Sequence, residues 1–463
     1  MSRARDIANL GTSFSGTEDN VSLGENALNS VTSGTNNVAL GEDALEALTS
    51  GENNVAVGVN AGTAITSGIR NVLIGYEAGD ALTDADFNIA VGSKALGADT
   101  LGSASVAIGH ATLENQNFTS ATNAFNTAVG HSAGNAVTTA INNTLIGGLA
   151  GDAITTGNSN TAVGYLSASS TIDGTSNTAI GRQSLEANTS GSDNVAVGRQ
   201  ALEASTTGDK NIAVGNFALL SETAGNNNIA IGYQALKIQN NTGGGNKYNN
   251  GLGYNAGVAI TTGAYNTLMG GFAGDRIQNG GSNICLGYGA DTFGGGTDNG
   301  ITIGVNITSG SNDFSFGKAS NVVKNDFDTD ANWSRSSDQR LKKNITNQTL
   351  GLDFINDLRT VKYNWKASHE LDSTDSQLSH LYKEDEADNE MNTDATMHNF
   401  IAQEVKAALD TAGVSDFSGW SEDQHGVQQV SREMFVIPLV KAVQELSAKN
   451  DALEARIKTL EDG

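Results

Sequence analysis

A glycine that returns every 17 residues constrains this chain more than any other feature of it. Aligned on Asn-x-x-x-Gly, glycines stand at 24, 41, 58, 75, 92 and 109, then at 130, 147, 164, 181, 198, 215 and 232, then at 253, 270, 287 and 304. The step is 17 except from Gly109 to Gly130 and from Gly232 to Gly253, where it is 21. Insertions that leave the following register intact are loops on the outside of a stacked repeat. Each unit reads like Asn37-Val38-Ala39-Leu40-Gly41, with large aliphatics two apart around a small residue, the pattern of a short strand. The spacing predicts a parallel β-solenoid over 20–304 whose interior is built from two aliphatic ladders, Val38, Val55, Val72, Ile89 and Leu40, Val57, Ile74, Val91. A second small residue three positions after most glycines (Ala44, Ala61, Ala78) predicts a second strand packed on the first. Corners such as Thr49-Ser50-Gly51 supply turn chemistry. At the usual strand spacing, seventeen turns would make a rod of roughly 80 Å.

The recurring Asn, replaced only by Ser105 and Gly300, is expected to hydrogen-bond up and down a ladder, and the glycine to adopt a backbone angle closed to other residues. Composition agrees with many tight corners: 56 glycines, one proline (Pro438) and 38% hydrophobic residues, lean for a conventional core. The net charge is −25, and both halves are acidic, so nucleic acid is excluded as a partner. Cys285, the single cysteine, falls at an apolar repeat position and reads as a small buried hydrophobe. Residues 1–10 lack the apolar run of a secretion signal, and no stretch approaches the ~20 apolar residues of a membrane helix, so cytosolic synthesis without membrane insertion is expected.

The turns resemble the Asn-x-Val-Ala-Ile-Gly repeats of trimeric autotransporter adhesin heads and of phage fibres, with a longer unit here; the resemblance implies a homotrimer. A thin coil with open ends also needs capping or partners on physical grounds. Residues 305–336 read as a transition segment. Beyond it, Ser336-Ser337-Asp338-Gln339-Arg340-Leu341-Lys342-Lys343-Asn344-Ile345, then 350–359, Val361 to Lys366, Phe400 to Val405 and the helix from Val436 to Leu460 follow in order. This run, 337–463, resembles the intramolecular chaperone of the endosialidase type, an autopeptidase domain of phage tail spikes and fibres. The resemblance implies a small α+β domain that registers three chains and is then released. By position it implies cleavage between Ser336 and Ser337, with Ser337 as nucleophile and Lys342 as base; Asp338 and His398 would support them. Such chemistry is plausible, because a serine needs a neighbour to take its proton and a desolvated lysine can do so. A bare Ser-Asp pair is otherwise an ordinary turn; the ordered matches downstream favour the processing site. Asn399 stands where the family usually has glycine.

The last helix reads in heptads, with Val436, Val443, Asn450 and Ile457 at a and Leu439, Leu446, Leu453 and Leu460 at d, a trimeric coiled coil over 436–460 in which Asn450 fixes register. The acidic insertion from Glu370 to Asp394 reads as a solvated loop, with calcium binding as the alternative. His110 and His131 would form stacked imidazoles without a second type of metal ligand. No cofactor motif is present, and neither a phosphate loop nor a carboxylate pair for glycan hydrolysis stands out. The expectation is therefore a virion tail fibre or appendage. Residues 1–19 would dock on other tail or baseplate proteins, and the fibre would meet a host cell-surface receptor or glycan. A bacterial trimeric adhesin and a fibre with polysaccharide-degrading activity are the alternatives.

Overall fold

The computed structural model describes residues 19–326, 334–335, 339–386, 393–394 and 396–463, and the chain divides into two units, Met1–Ser336 and Ser337–Gly463.

The first unit is a long parallel β-solenoid. Among the described residues eighteen strands stack in one parallel sheet, nearly all of them three residues long and joined in sequence order. Register follows the repeat: Val38 lies over Val55, Ala39 over Ala56 and Leu40 over Val57. The eighteenth strand, Asp313–Lys318, arrives after a shortened step, with Gly304 paired to Gly317, so the coil runs one turn into the segment where the 17-residue period is lost. Asn321–Asp326 then pairs antiparallel with that strand and ends the parallel stacking.

The repeated Asn and Gly do the work expected of them. In most turns the buried Asn uses its Oδ1 to accept the backbone N–H of the equivalent residue one turn on, as in Asn54 N to Asn37 Oδ1 at 2.9 Å, while its Nδ2 donates to a carbonyl 14 residues ahead, Asn54 to Gly68 at 2.8 Å. The side chain thus serves as backbone in a turn too sharp to satisfy its own groups. Gly41 adopts φ +140°, and a Cβ there would lie 2.3 Å from the Gly58 carbonyl oxygen. No other residue fits that approach.

The direction of the strand faces is the reverse of the sequence expectation. The small central residues, Ala39, Ala56, Ala90, Ala107 and their equivalents, are fully buried, and the large aliphatics on either side face outward and stay part exposed, Ile146 at 39% and Ile231 at 41%. The core instead comes from leucines such as Leu45, Leu96, Leu113, Leu185 and Leu202, which sit four residues after the repeat glycine. Ala44 and its equivalents are buried as well, but on a turn segment and not on a second strand. Those leucines hold φ near +50°, a conformation that turns the chain and sends the side chain inward at each corner. Cys285 lies at a strand centre between Leu268 and Thr302, fully buried, and burial pushes its thiol up to about 12, so it is an inert core residue.

Both longer turns are patched in the same way. At the first, Gln116 Nε2 donates to Asp99 Oδ2 at 2.6 Å and its Oε1 accepts from Asn126 Nδ2 at 2.8 Å. At the second, Gln239 Nε2 donates to Glu222 Oε2 at 2.8 Å and its Oε1 accepts from Asn249 Nδ2 at 2.9 Å. All six side chains are buried. Burial raises the pKa of Asp99, against hydrogen bonds from Gln116, Phe118 and Gly102 that favour its charged form. Gln116→Ala is therefore expected to leave the Asp99 carboxylate short of a donor and to cost about 2–3 kcal/mol. Hydrogen exchange should show the lost protection confined to the turns around residues 99–126, and uniform protection would contradict it.

The second unit is α+β. Helices α1 (Leu352–Asp357), α2 (Ala402–Ala412) and α3 (Val436–Glu461) accompany two antiparallel hairpins, Val361–Tyr363 with Met397–Asn399 and Trp420–Glu422 with Gln428–Val430. Its core gathers Leu350, Phe354, Val405, Ala408, Leu409 and Phe435. Phe435 is the hub, with ring centroids 4.9 Å from Phe400, 5.2 Å from Phe417 and 6.2 Å from Phe354. No helix among the described residues is long and apolar enough to cross a membrane.

Candidate self-processing and assembly site

Three separated motifs converge in the second unit. The run 350–359 forms α1 and supplies Phe354 to the core; Phe400 to Val405 opens α2 and supplies Val405. Arg359, at the end of the first run, donates through Nε to Glu404 of the second at 3.1 Å and through Nη2 at 2.5 Å. The guanidinium beside it holds the Glu404 carboxyl below its usual range. Val361–Tyr363, from the motif between them, pairs with Met397–Asn399 in register Lys362 to His398. The motifs are thus one folded body, with a hydrophobic contact, an ion pair and a hairpin joining distant stretches of sequence.

His398 is exposed on that hairpin and lines a groove of about 450 Å³ with Thr360, Lys362, Phe400 and Arg432. Arg432 donates to the His398 carbonyl at 3.3 Å, which ties the strand to the turn before α3. Lys342 is exposed just after a 3-10 turn, Gln339–Leu341, and its backbone N–H donates to the Gln339 carbonyl at 3.0 Å. Ser336, Ser337 and Asp338 lie outside the described residues. Sequence reasoning missed Arg359, Glu404 and Arg432; the signal for the first two was their place inside the recurring motifs.

In α3 the apolar seam is laid bare. Val436, Leu439, Val443, Leu446, Leu453, Ile457 and Leu460 are all exposed, whereas Pro438 and Ala442 face the unit's own core. Glu445 holds the helix in place by accepting the Leu352 N–H at the start of α1, at 2.8 Å, a bond that with Lys441 keeps its carboxyl below the usual range. Asn450 is exposed on the same seam and donates to Glu454 at 3.2 Å. Of the acidic insertion, residues 370–386 carry short 3-10 turns, and Glu384, Asp385 and Glu386 are exposed. Among the described residues no group of three or more His, Cys, Asp or Glu is arranged to hold a metal ion. His110 and His131 stack at 5.2 Å on the outside of the solenoid.

The solenoid presents a second bare surface. The third position of its strands is apolar in every turn from Leu23 to Phe316, through Ile74, Ile108, Ile146, Ile180, Ile231 and Met269, although each remains partly open to solvent. A partly exposed column free of polar residues over eighteen turns is an unusually long apolar surface.

Comparison with known families matches residues 337–414 to the family described as chaperone of endosialidase. Neither the curated proteins nor the solved structures yield a match. A long parallel β-solenoid together with such a domain is consistent with a phage tail fibre or tail spike.

Proposed function

We propose that this chain, which carries a chaperone-of-endosialidase domain, is one subunit of a homotrimeric virion fibre that attaches the particle to a host surface. The observation that carries the trimer is the pairing of two bare apolar surfaces: the aliphatic column of the solenoid and the a/d seam of α3. Covering what remains exposed of one Val, Leu or Ile per turn is worth roughly 0.5–1 kcal/mol, repeated along the stack. The seam of α3 has the spacing that packs helices side by side, with Asn450 setting their register.

In this reading the second unit aligns three chains and then cuts itself free. The Ser337 hydroxyl attacks the Ser336 carbonyl carbon while Lys342 takes the hydroxyl proton. The acyl group passes from nitrogen to oxygen, and water cleaves the resulting ester. A carboxylate is left on Ser336 and a free amine on Ser337. Asp338 and His398 hold the segment in place. Residues 1–19 dock on other tail or baseplate proteins.

Intact mass and sizing of wild type beside Ser337→Ala test this. Wild type is expected to yield a fragment beginning at Ser337, and the variant to stay whole, both as trimers. Two whole trimers would make the domain a permanent tip and remove the nucleophile assignment. Monomers would remove the fibre.

A further inference from the structure

Near the end of the solenoid, the position four residues after the repeat glycine changes character. All preceding turns fill it with leucine, glycine or alanine, as at Leu236, Gly257 and Gly274; after Gly287 it is Asp291, and after Gly304 it is Thr308. The Asp291 side chain is 4% exposed, yet its Oδ2 takes no hydrogen bond, and Arg276 Nε lies 3.5 Å away. Its Oδ1 accepts the Thr292 N–H at 2.8 Å. Burial, then the neighbouring Asp275 carboxylate, push Asp291 up to about 7. A carboxylate so placed carries a desolvation cost that leucine would not, offset in part by the Thr292 N–H and the Arg276 guanidinium. It lines a cavity of about 320 Å³ walled by the rings of Phe272 and Tyr288, with Asp275, Arg276, Asn306 and Thr308 on its other sides.

An aromatic column leads into this notch. Tyr233, Tyr254, Phe272 and Tyr288 follow one another up the outside with centroids 5.4, 5.3 and 5.8 Å apart, and Tyr288 is 54% exposed. Lower in the stack that position varies: Glu42, Ser93, Arg182 and Arg199 hold it in some turns, and Tyr76 and Tyr165 stand there singly, without aromatic neighbours in the adjoining turns. That column is therefore solvated surface, distinct from the uniformly apolar face assigned to the subunit contact, and its aromatic stretch is a local specialisation.

We propose that this notch is a saccharide-binding site, in which a sugar unit of a neutral glycan lies against the rings of Phe272 and Tyr288 and donates hydroxyl hydrogens to Asp275 and Asp291, the chain of sugars continuing along Tyr254 and Tyr233. Aromatic rings meet the C–H faces of a pyranose, and carboxylates accept from its hydroxyls. With Asp275 and Asp291 against the single Arg276, which Asp291 already faces at 3.5 Å, the notch selects against acidic glycans. The inference deepens the attachment reading and rests on it.

The test is full-length protein on an array of neutral and acidic oligosaccharides, beside Tyr288→Ala and Asp291→Asn, with sizing of all three. Wild type is expected to bind neutral glycans, and each variant to bind them about 10-fold more weakly or worse while keeping its assembly state, the loss of one strong contact. A blank array, binding of acidic glycans alone, or binding that both variants retain would overturn the site and leave the assembly reading standing. If Tyr288→Ala breaks the assembly, the column is a subunit contact and the saccharide site falls.

Discussion

Leu145→Ala is expected to cost about 4–5 kcal/mol, the upper end of the range for a buried leucine, because nothing beside it can move in. Leu145 occupies the centre of a strand, where the turns on either side have Ala128 and Ala162. It fits because the corner position next to it is glycine in two successive turns. A Cβ on Gly134 would lie 2.7 Å from Leu145 Cδ1, and one on Gly151 would lie 2.8 Å from Leu145 Cδ2. Leu73 between Gly62 and Gly79, and Leu268 between Gly257 and Gly274, repeat the arrangement. The core thus keeps its volume by exchanging a corner leucine for a central one. A double-mutant cycle checks it. Gly151→Ala in wild type meets Leu145, the Ile154 methyl at 2.8 Å and a φ of +58°; in the Leu145→Ala background the Leu145 clash is gone, and the backbone cost of about 1 kcal/mol and the Ile154 contact remain. Chemical denaturation should show a favourable coupling of 1 kcal/mol or more, and additive effects would refute the exchange. Because such a coil is stabilised turn by turn, hydrogen exchange should place the weakening near residues 127–178.

The stacking was legible because it rests on backbone register, which the Asn and Gly write into every turn. Which face of the strand points inward was not, since Val-Ala-Val alternates between two apolar faces and period alone does not rank them. Size misled: large aliphatics look like core, but a coil this thin has room at its strand centres for little more than a methyl group, except where glycines make way. A clue was present, because the first strand position accepts Thr127, Thr144, Thr161, Thr178 and Asn250, which a dry interior would not tolerate, while the central one is alanine in most turns. The eighteenth strand escaped notice because its turn is shorter, so Gly317 falls out of the period. In the second unit the heptad seam was plain from spacing. The Arg359 and Glu404 pair and the Phe435 hub were not, since they join residues far apart in sequence.

These points fix what a single chain leaves undone. Its own core is satisfied by alanine and corner leucine, so the outward aliphatic column supports the fold of one chain only through the part of each side chain already covered, and a polar side chain at its most exposed positions, such as Ile146 or Ile231, would cost that chain little. The same holds for α3, whose contacts with its unit run through Pro438, Ala442 and Glu445 rather than through the seam. Folding of one chain and assembly of several are therefore separable by substitution.

Leu446→Asp combined with Leu453→Asp should separate them. Both positions are exposed d sites, so the variant's solenoid and second unit are expected to fold, with circular dichroism unchanged apart from partial fraying of α3. In a three-stranded seam the pair brings three carboxylates, one from each chain, into each of two apolar layers, and burying uncompensated charge of that kind costs several kcal/mol per layer. Sedimentation should then show monomer in place of trimer, accompanied by aggregate, because the aliphatic column of the solenoid stays uncovered with no device to bring three chains into register. Loss of assembly should also abolish the fragment beginning at Ser337 if cleavage awaits alignment. An unchanged trimer would mean that the seam is not the contact and that the solenoid face alone holds the fibre together.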